Sequence, residues 1–132
     1  MEKYEVEIRD NGAEYWRQNG KLHREDGPAY KRGNIKVWFK HGKLHREDGP
    51  AIESPLIGTG TGEYVWYLDG EKHREDGPAY INKSENIRKW YYHDKLHRDN
   101  EPAVIDRSEG KDNEVRKWYQ NGKLHRENGP AI

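Results

Sequence analysis

The chain has 132 residues, with 24 Lys and Arg against 24 Asp and Glu and no Cys, so it has no net charge and cannot form a disulfide or a thiolate metal site. A chain without net charge has no basic field that would attract nucleic acid, and no stretch of it approaches the roughly 18 apolar residues of a membrane span. Only 31% of the residues are hydrophobic, but five Trp and nine Tyr can bury large areas through their rings. Composition therefore predicts a thin, extended fold.

The chain opens with an alternating, strand-like segment from Tyr4 to Ile8, followed by Asn11-Gly12 and by a second strand-like run through Trp16. Asn-Gly between two such runs is a strong signal for a β-hairpin. We therefore predict that residues 1–19 form an opening hairpin. Because the first residues lack the apolar core of a secretion signal, we also expect a cytoplasmic location.

The rest of the chain repeats one phrase, whose clearest copy, W-F-K-H-G-K-L-H-R-E-D-G-P-A-I, begins at Trp38. The copies are spaced by 22, 28, 24 and 28 residues. These spacings differ by even numbers, which fits hairpins whose two arms lengthen together, since a one-residue slip would turn every side chain to the other face of the sheet. Gly and Ser in the extra residues predict hairpin tips at Glu53 to Glu63, Asn82 to Asn86 and Asp106 to Glu114. The five copies are centred on Trp16, Trp38, Trp66, Trp90 and Trp118.

Each repeat is thus predicted to contain a strand, a variable tip, a returning strand through Trp, a two-residue turn and a short L-H-R-E-D-G-P segment. The fourth copy departs most, since Asp94 replaces the turn glycine and residues 99–102 read D-N-E-P, whereas the fifth, Gly122 to Ile132, keeps the phrase intact. We predict a single all-β domain over residues 1–132, an elongated twisted sheet or open solenoid of five β-hairpin repeats. Its first strand, Tyr4 to Ile8, and its last, Pro130 to Ile132, would be open edges through which a homo-oligomer could form.

The repeated phrase resembles the MORN-type repeats and their bacterial and viral variants, which are short β-hairpin units with an aromatic residue and a turn glycine. The L-H-R-E-D-G-P-A ending differs from the commoner G-x-G ending of that family, so the resemblance implies a MORN-like backbone and a binding or scaffolding role, without shared catalytic residues. The phrase is also similar to repeats in uncharacterised proteins of bacteriophages and large viruses. That likeness implies a phage-encoded inhibitor that binds a bacterial host or defence protein in the host cytoplasm.

His, Arg and acidic residues recur in every copy, and such groups can perform acid–base chemistry, ligate a metal or bind an anion. Catalysis needs one site, however, whereas near-identical copies suit a structural ladder in which Arg reaches an acid of the next unit and Asp fixes the Gly-Pro turn. We therefore expect no enzymatic activity, no metal and no cofactor. The alternative is a small-ligand sponge that binds an anionic nucleotide through the rows His23, Arg24, His45, Arg46, His73, Arg74, His97, Arg98, His125 and Arg126.

Two other features are candidates for binding a protein partner. Alternation along the strand places the residue after each Trp on the opposite face, while the Trp column is expected to cement neighbouring hairpins. The longest tip, residues 53–62, has no G-K-[ST] phosphate signature, so we interpret it as a flexible hairpin tip that presents Leu56 and Ile57. The second ring column, interrupted by Arg17, consists of Phe39, Tyr67, Tyr91 and Tyr119.

Overall fold

A computed structural model describes residues 3–128 of the chain. Within this range the protein is all-β, apart from one turn of 3-10 helix at Lys111–Asn113. In chain order the strands are β1 (Glu5–Ile8), β2 (Glu14–Gln18), β3 (Lys21–Leu22), β4 (Tyr30–Arg32), β5 (Ile35–Val37), β6 (Phe39–Lys40), β7 (Lys43–Leu44), β8 (Ile52–Ser54), β9 (Glu63–Val65), β10 (Tyr67–Leu68), β11 (Glu71–Lys72), β12 (Tyr80–Asn82), β13 (Ile87–Lys89), β14 (Tyr91–Tyr92), β15 (Lys95–Leu96), β16 (Val104–Asp106), β17 (Val115–Gln120) and β18 (Lys123–Asn128).

Twelve strands form one antiparallel sheet, in the order β1, β2, β4, β5, β8, β9, β12, β13, β16, β17 and β18, with β3 paired to β2. The remaining strands form three separate hairpins, β6–β7, β10–β11 and β14–β15, which we name the side hairpins. All pairings are antiparallel and the large sheet does not close on itself. The structure thus confirms the predicted all-β fold, an open twisted sheet built from hairpin repeats, and the opening hairpin β1–β2.

The strands of the large sheet end on two opposite sides, which we name the tip edge and the motif edge. The tip edge consists of the loops 9–13, 33–34, 55–62, 83–86 and 107–114, each of which joins two adjacent antiparallel strands. The motif edge carries the side hairpins and the H-R-E-D-G-P segments. The last three of these loops fall within the three length-variable segments, so the prediction that these segments form hairpin tips is confirmed.

The returning strand, which the sequence predicted to run through Trp, is interrupted at Trp38, Trp66 and Trp90. At Trp66 the backbone N–H donates to the Ala79 carbonyl at 2.8 Å, while the Trp66 carbonyl accepts from the His73 N–H at 3.1 Å. The first bond joins Trp66 to the large sheet, whereas the second joins it to the motif of its own repeat. Each interrupted Trp therefore marks the point at which the chain leaves the large sheet and enters a side hairpin.

The buried core is a thin line of small residues. The alanine that follows the motif proline in each of the first four copies has an exposed fraction of 0%, and the other buried apolar residues within residues 3–128 are Ala13, Val65 and Val104. All five tryptophans are only half-buried. This agrees with the thin fold predicted from composition, in which rings supply area that a small aliphatic core cannot. The fully buried alanines are Ala29, Ala51, Ala79 and Ala103.

In its motif the fifth copy repeats the letters of the phrase apart from Asn128, but its described part does not have the structure of the other copies. Its segment Lys123–Asn128 is the continuous strand β18, which pairs along β17 with a register shift between Trp118 and Tyr119. In the earlier copies the following hairpin holds this segment as a turn. Among residues 3–128 no further hairpin packs on the fifth copy, and β18 pairs with β17 instead. The predicted edge Pro130 to Ile132 lies outside the described residues, and the described outer strands are β1 and β18.

The two-residue turns of the motif edge have the φ angles of type I′ turns, positive at both central positions. In the third copy these are Asp69 at 48° and Gly70 at 83°. In the fourth copy the second position is Asp94 at 68°, and a side chain is disfavoured in that conformation. The fourth turn is therefore the strained one of the series.

We expect Asp94→Gly to stabilise the chain by about 1 kcal/mol, since it removes the cost of a Cβ in the left-handed region. The substitution also removes a long hydrogen bond from the Lys72 N–H to the Asp94 carboxylate, 3.3 Å, which offsets part of the gain. The measurement is the midpoint of urea unfolding, followed by tryptophan fluorescence. The reverse change in the third copy, Gly70→Asp, is the matched control and should lower the midpoint; equal midpoints for all three proteins would contradict the strain argument.

Candidate functional site

In every copy the motif arginine lies on the indole ring of its own repeat. Such contacts between a cation and a ring are worth about 0.5–2 kcal/mol, depending on how dry they are. The sequence predicted that Trp cements adjacent hairpins; within residues 3–128 no two tryptophan rings stack, and Trp38 lies between the motif segments of two successive repeats. The distances from the guanidinium carbon to the ring centre are Arg24–Trp16 3.7 Å, Arg46–Trp38 3.7 Å, Arg74–Trp66 3.9 Å, Arg98–Trp90 3.9 Å and Arg126–Trp118 4.4 Å.

The stacked guanidinium also holds the E-D-G-P turn. Arg74 donates from Nε to the Asp76 carboxylate at 3.0 Å and from Nη1 to the Pro78 carbonyl at 3.1 Å, and the first two copies make the same pair of bonds. The predicted ladder from Arg to an acid of the next unit forms in the second copy, where Arg46 reaches Glu53 of the following strand at 2.9 Å. Arg24 and Arg74 instead donate from Nε to the acid two residues on. Arg, and not the Asp expected from the sequence, donates to the backbone of the Gly-Pro turn.

The motif glycine leaves space for this arginine. A Cβ built on Gly77 would lie 2.8 Å from the guanidinium carbon of Arg74. In the fourth copy Glu101 stands at the equivalent position, and the turn has changed, with Asn100 at φ 63°. There Nη2 of Arg98 donates to the Glu101 carboxylate at 3.1 Å. The drifted sequence of the fourth copy thus keeps the arginine on its Trp with a different turn.

The motif histidines connect each repeat to the following one. Nδ1 of His23 accepts a hydrogen bond from the backbone N–H of His41, and the next three copies repeat this contact with Asp69, His93 and Asn121. His23 and His73 are buried, whereas His125 of the fifth copy is exposed. The sequence did not predict this link, because its donor is a backbone group whose position only the stacking of hairpins determines.

Open grooves lie between successive motifs and have volumes of about 530, 840 and 880 Å³. In the first groove Trp38 and Phe39 lie between the motif segments 24–28 and 45–48. The outermost charges are acidic: the side chains of Asp26, Asp48 and Asp76 are 81–88% exposed, whereas those of the stacked arginines in these copies are 20–24% exposed. The Arg and His rows therefore lie beside carboxylates of their own motifs, which compete with an added anion for the same donors.

The second ring column is half-buried along its whole length. Burial raises the pKa of Tyr67 and of Tyr91, and the nearby Asp94 carboxylate adds to both effects. Phe39 lines the first groove and Tyr91 the third, so parts of these rings remain accessible. Tyr119, the last ring, pairs across the strand with Leu124. The rings therefore contribute to packing as well as to the groove surface.

Leu56 and Ile57 are each 62% exposed at the end of the longest tip. Thr61 ties this tip to β8, because its N–H donates to Ser54 Oγ at 2.9 Å. Further backbone bonds join Ile57 to Pro55 at 2.8 Å and Gly60 to Ile57 at 3.0 Å. A Cβ at Gly60 would lie 1.6 Å from the Pro55 carbonyl oxygen, so that position tolerates no side chain in this conformation. The tip is thus more constrained than the flexible hairpin that the sequence predicted, since glycines permit a compact, self-bonded loop.

Comparison of the chain with protein-family models, with curated proteins and with solved structures finds no match. Within residues 3–128 no group of three or more His, Asp or Glu side chains is placed to hold a metal ion. The described part of the chain also contains no helix of the length and apolar character needed to cross a membrane.

Proposed function

We propose that the protein is a non-enzymatic binding module whose principal contact is with another protein. The observation that supports this most directly is the constrained tip 55–62, which presents Leu56 and Ile57 side by side, each 62% exposed. A large aliphatic side chain has no folding benefit in such a position, whereas it can become a buried anchor in an interface. Because the loop is ordered by its own hydrogen bonds, little conformational entropy is lost when it binds.

The partner class follows from the resemblance of the repeats to those of bacteriophage and large-virus proteins. A phage protein that acts by binding occupies a host or defence protein of the bacterium, and the partner would then offer an apolar pocket for the tip. The grooves of the motif edge extend the possible contact surface, with Phe39 and Tyr91 among the residues that line them. The protein would act in the host cytoplasm, without a cofactor.

The test begins with a stoichiometric complex isolated from bacterial lysate and rebuilt from two purified proteins. We expect the double substitution L56D/I57D to weaken the purified complex at least tenfold in dissociation constant, as measured by isothermal titration calorimetry, because a charge would replace each buried anchor. Ile8→Asp is the matched control: Ile8 is 70% exposed and lies in β1, outside the tip. Equal affinities for wild type and L56D/I57D would refute the tip as the anchor.

The alternative, capture of an anionic nucleotide by the Arg and His rows, gives a different result in the same preparation. A nucleoside triphosphate would then raise the thermal unfolding temperature of the wild-type protein, and Arg74→Ala would reduce that increase. The L56D/I57D variant would respond like the wild type. Such an outcome, without a protein partner, would replace the proposed function.

A further inference from the structure

Four backbone hydrogen bonds of one kind join consecutive repeats along the motif edge. In each, a motif histidine accepts at Nδ1 the N–H of the first turn residue of the following hairpin. A ring nitrogen can accept an N–H only when it carries no proton. Each of these contacts therefore requires a neutral ring whose proton is on Nε2. The distances are His41 N to His23 Nδ1 2.9 Å, Asp69 N to His45 Nδ1 2.9 Å, His93 N to His73 Nδ1 3.0 Å and Asn121 N to His97 Nδ1 3.0 Å.

The other ring nitrogen faces the acid two residues further along in every one of these copies. This arrangement fits the same tautomer, because a carboxylate accepts and Nε2–H donates. In the first copy Nε2 is enclosed and lies 2.9 Å from the Glu25 carboxylate, without forming a hydrogen bond to it. In the other three copies the distances are His45–Glu47 3.6 Å, His73–Glu75 3.8 Å and His97–Asp99 3.2 Å.

Protonation of Nδ1 would place two N–H donors against each other at about 3 Å. The rings of His23 and His73, with exposed fractions of 1% and 6%, cannot turn into water without opening the junction around them. From this geometry we propose that the motif histidines form an acid-released latch between adjacent repeats. The latch is closed when the rings are neutral and opens when they gain a proton. The hydrogen bonds of the large sheet do not involve histidine side chains, so the motif edge opens before the sheet.

The four latches differ in the charged and aromatic side chains that surround each histidine. At His73, burial lowers the pKa and the neighbouring His93 ring lowers it further, against the opposing effects of Glu75 and Glu71. The His93 ring lies 4.3 Å from it, and Tyr92 packs at 4.5 Å. The packing around His73 therefore favours its neutral form, so that proton binding at this latch is linked to the stacking of the repeats.

The remaining latches have other neighbours. At His45, an Asp69 carboxylate oxygen lies 3.4 Å from Nδ1. His23 lies between the rings of His41 and Tyr4, with Glu25 as its charged neighbour. His97 faces Asp99 and, at 6.0 Å, the Tyr92 ring.

The direction of the pH effect follows from His73. Since its pKa is lower in the folded chain than the ordinary value of 6.5, the unfolded chain binds the proton first as the pH falls. The stabilisation is complete above the unfolded pKa and is lost as the pH falls through the folded pKa. Between about pH 7.5 and pH 5 most carboxylates remain ionised, so histidines dominate the change in this window.

The experiment measures urea unfolding of the full chain by tryptophan fluorescence at about pH 7.5 and pH 5. We expect the wild-type midpoint to fall towards pH 5. His73→Asn should reduce this fall, because the Asn side-chain oxygen can accept the His93 N–H and does not titrate. The variant should therefore show a smaller difference between its two unfolding midpoints than the wild type does.

His125→Asn is the matched control, since it makes the same chemical change at an exposed motif histidine in β18, and it should keep the wild-type pH response. An independent readout is nitrogen-15 NMR of the histidine rings, in which we expect the Nε2–H tautomer for residues 23, 45, 73 and 97 at neutral pH. An Nδ1–H tautomer at these positions would overturn the proposal. So would an unchanged pH response in both His73→Asn and His97→Asn. If His73→Asn does not fold, His97→Asn and the wild-type NMR spectra decide the question.

Discussion

Ala79→Leu should destabilise the chain by about 3 kcal/mol, the upper part of the range for overpacking a close-packed site. Ala79 has an exposed fraction of 0% and follows the motif proline. Its carbonyl accepts the Trp66 N–H at 2.8 Å, so its backbone cannot move away without breaking the bond at which the chain leaves the large sheet. Three additional carbon atoms would have to displace the atoms that bury this side chain completely.

The measurement is the free energy of urea unfolding, and a loss of this size is a large part of the roughly 5–15 kcal/mol by which such domains are stable. Ala79→Ser is the control, because it adds one atom and should cost much less. Ala103→Leu, in the drifted fourth copy, should behave like Ala79→Leu, since Ala103 is equally buried. A Leu variant that unfolds within about 0.5 kcal/mol of the wild type would show that the junction contains unused space.

The repeat spacing was sufficient to predict the hairpins and their tips. The spacings between tryptophans differ by even numbers, so the extra residues were expected where they lengthen a hairpin without turning its side chains to the other face. The tips at 55–62, 83–86 and 107–114 lie at these positions. Asn-Gly and its equivalents likewise predicted the two-residue turns, because few residue pairs adopt positive φ at both positions. These features depend on local backbone geometry, which the residue types at the turns determine directly.

The contacts between repeats could not be predicted in the same way. Arg74 was expected to reach an acid of the next unit, but it lies on Trp66 and bonds within its own motif. The link to the next unit is a histidine nitrogen that accepts a backbone N–H, and no residue type marks such a donor in the sequence. The fifth copy shows the same limit, because the letters of its motif match those of the second copy except at Asn128, while no following hairpin packs on it within residues 3–128. Nearly identical segments can therefore form a turn in one copy and the strand β18 in another.

The pairing of Trp66 with Arg74 explains why a chain with so few aliphatic residues can hold its motif edge together, and its removal should have a similarly large effect. The indole is half-buried, and it packs against a guanidinium that also holds Asp76 and the Pro78 carbonyl. We expect Trp66→Ala to cost about 3 kcal/mol, the low end for removal of a large aromatic side chain, because part of the ring is already exposed.

A double-mutant cycle separates the ring–cation contact from simple loss of area. Arg74→Ala should cost about 2 kcal/mol, since it removes both the ring contact and the bonds that hold the turn. The double variant should lose about 1 kcal/mol less than the sum of the two single losses, which is the coupling expected for a partly desolvated cation over an indole. Trp66→Phe with Arg74→Lys is the conservative cycle and should show weaker coupling. Additive losses within about 0.3 kcal/mol would mean that the arginine stabilises the turn without help from the ring, and the role of Trp at each junction would then reduce to the burial of its surface.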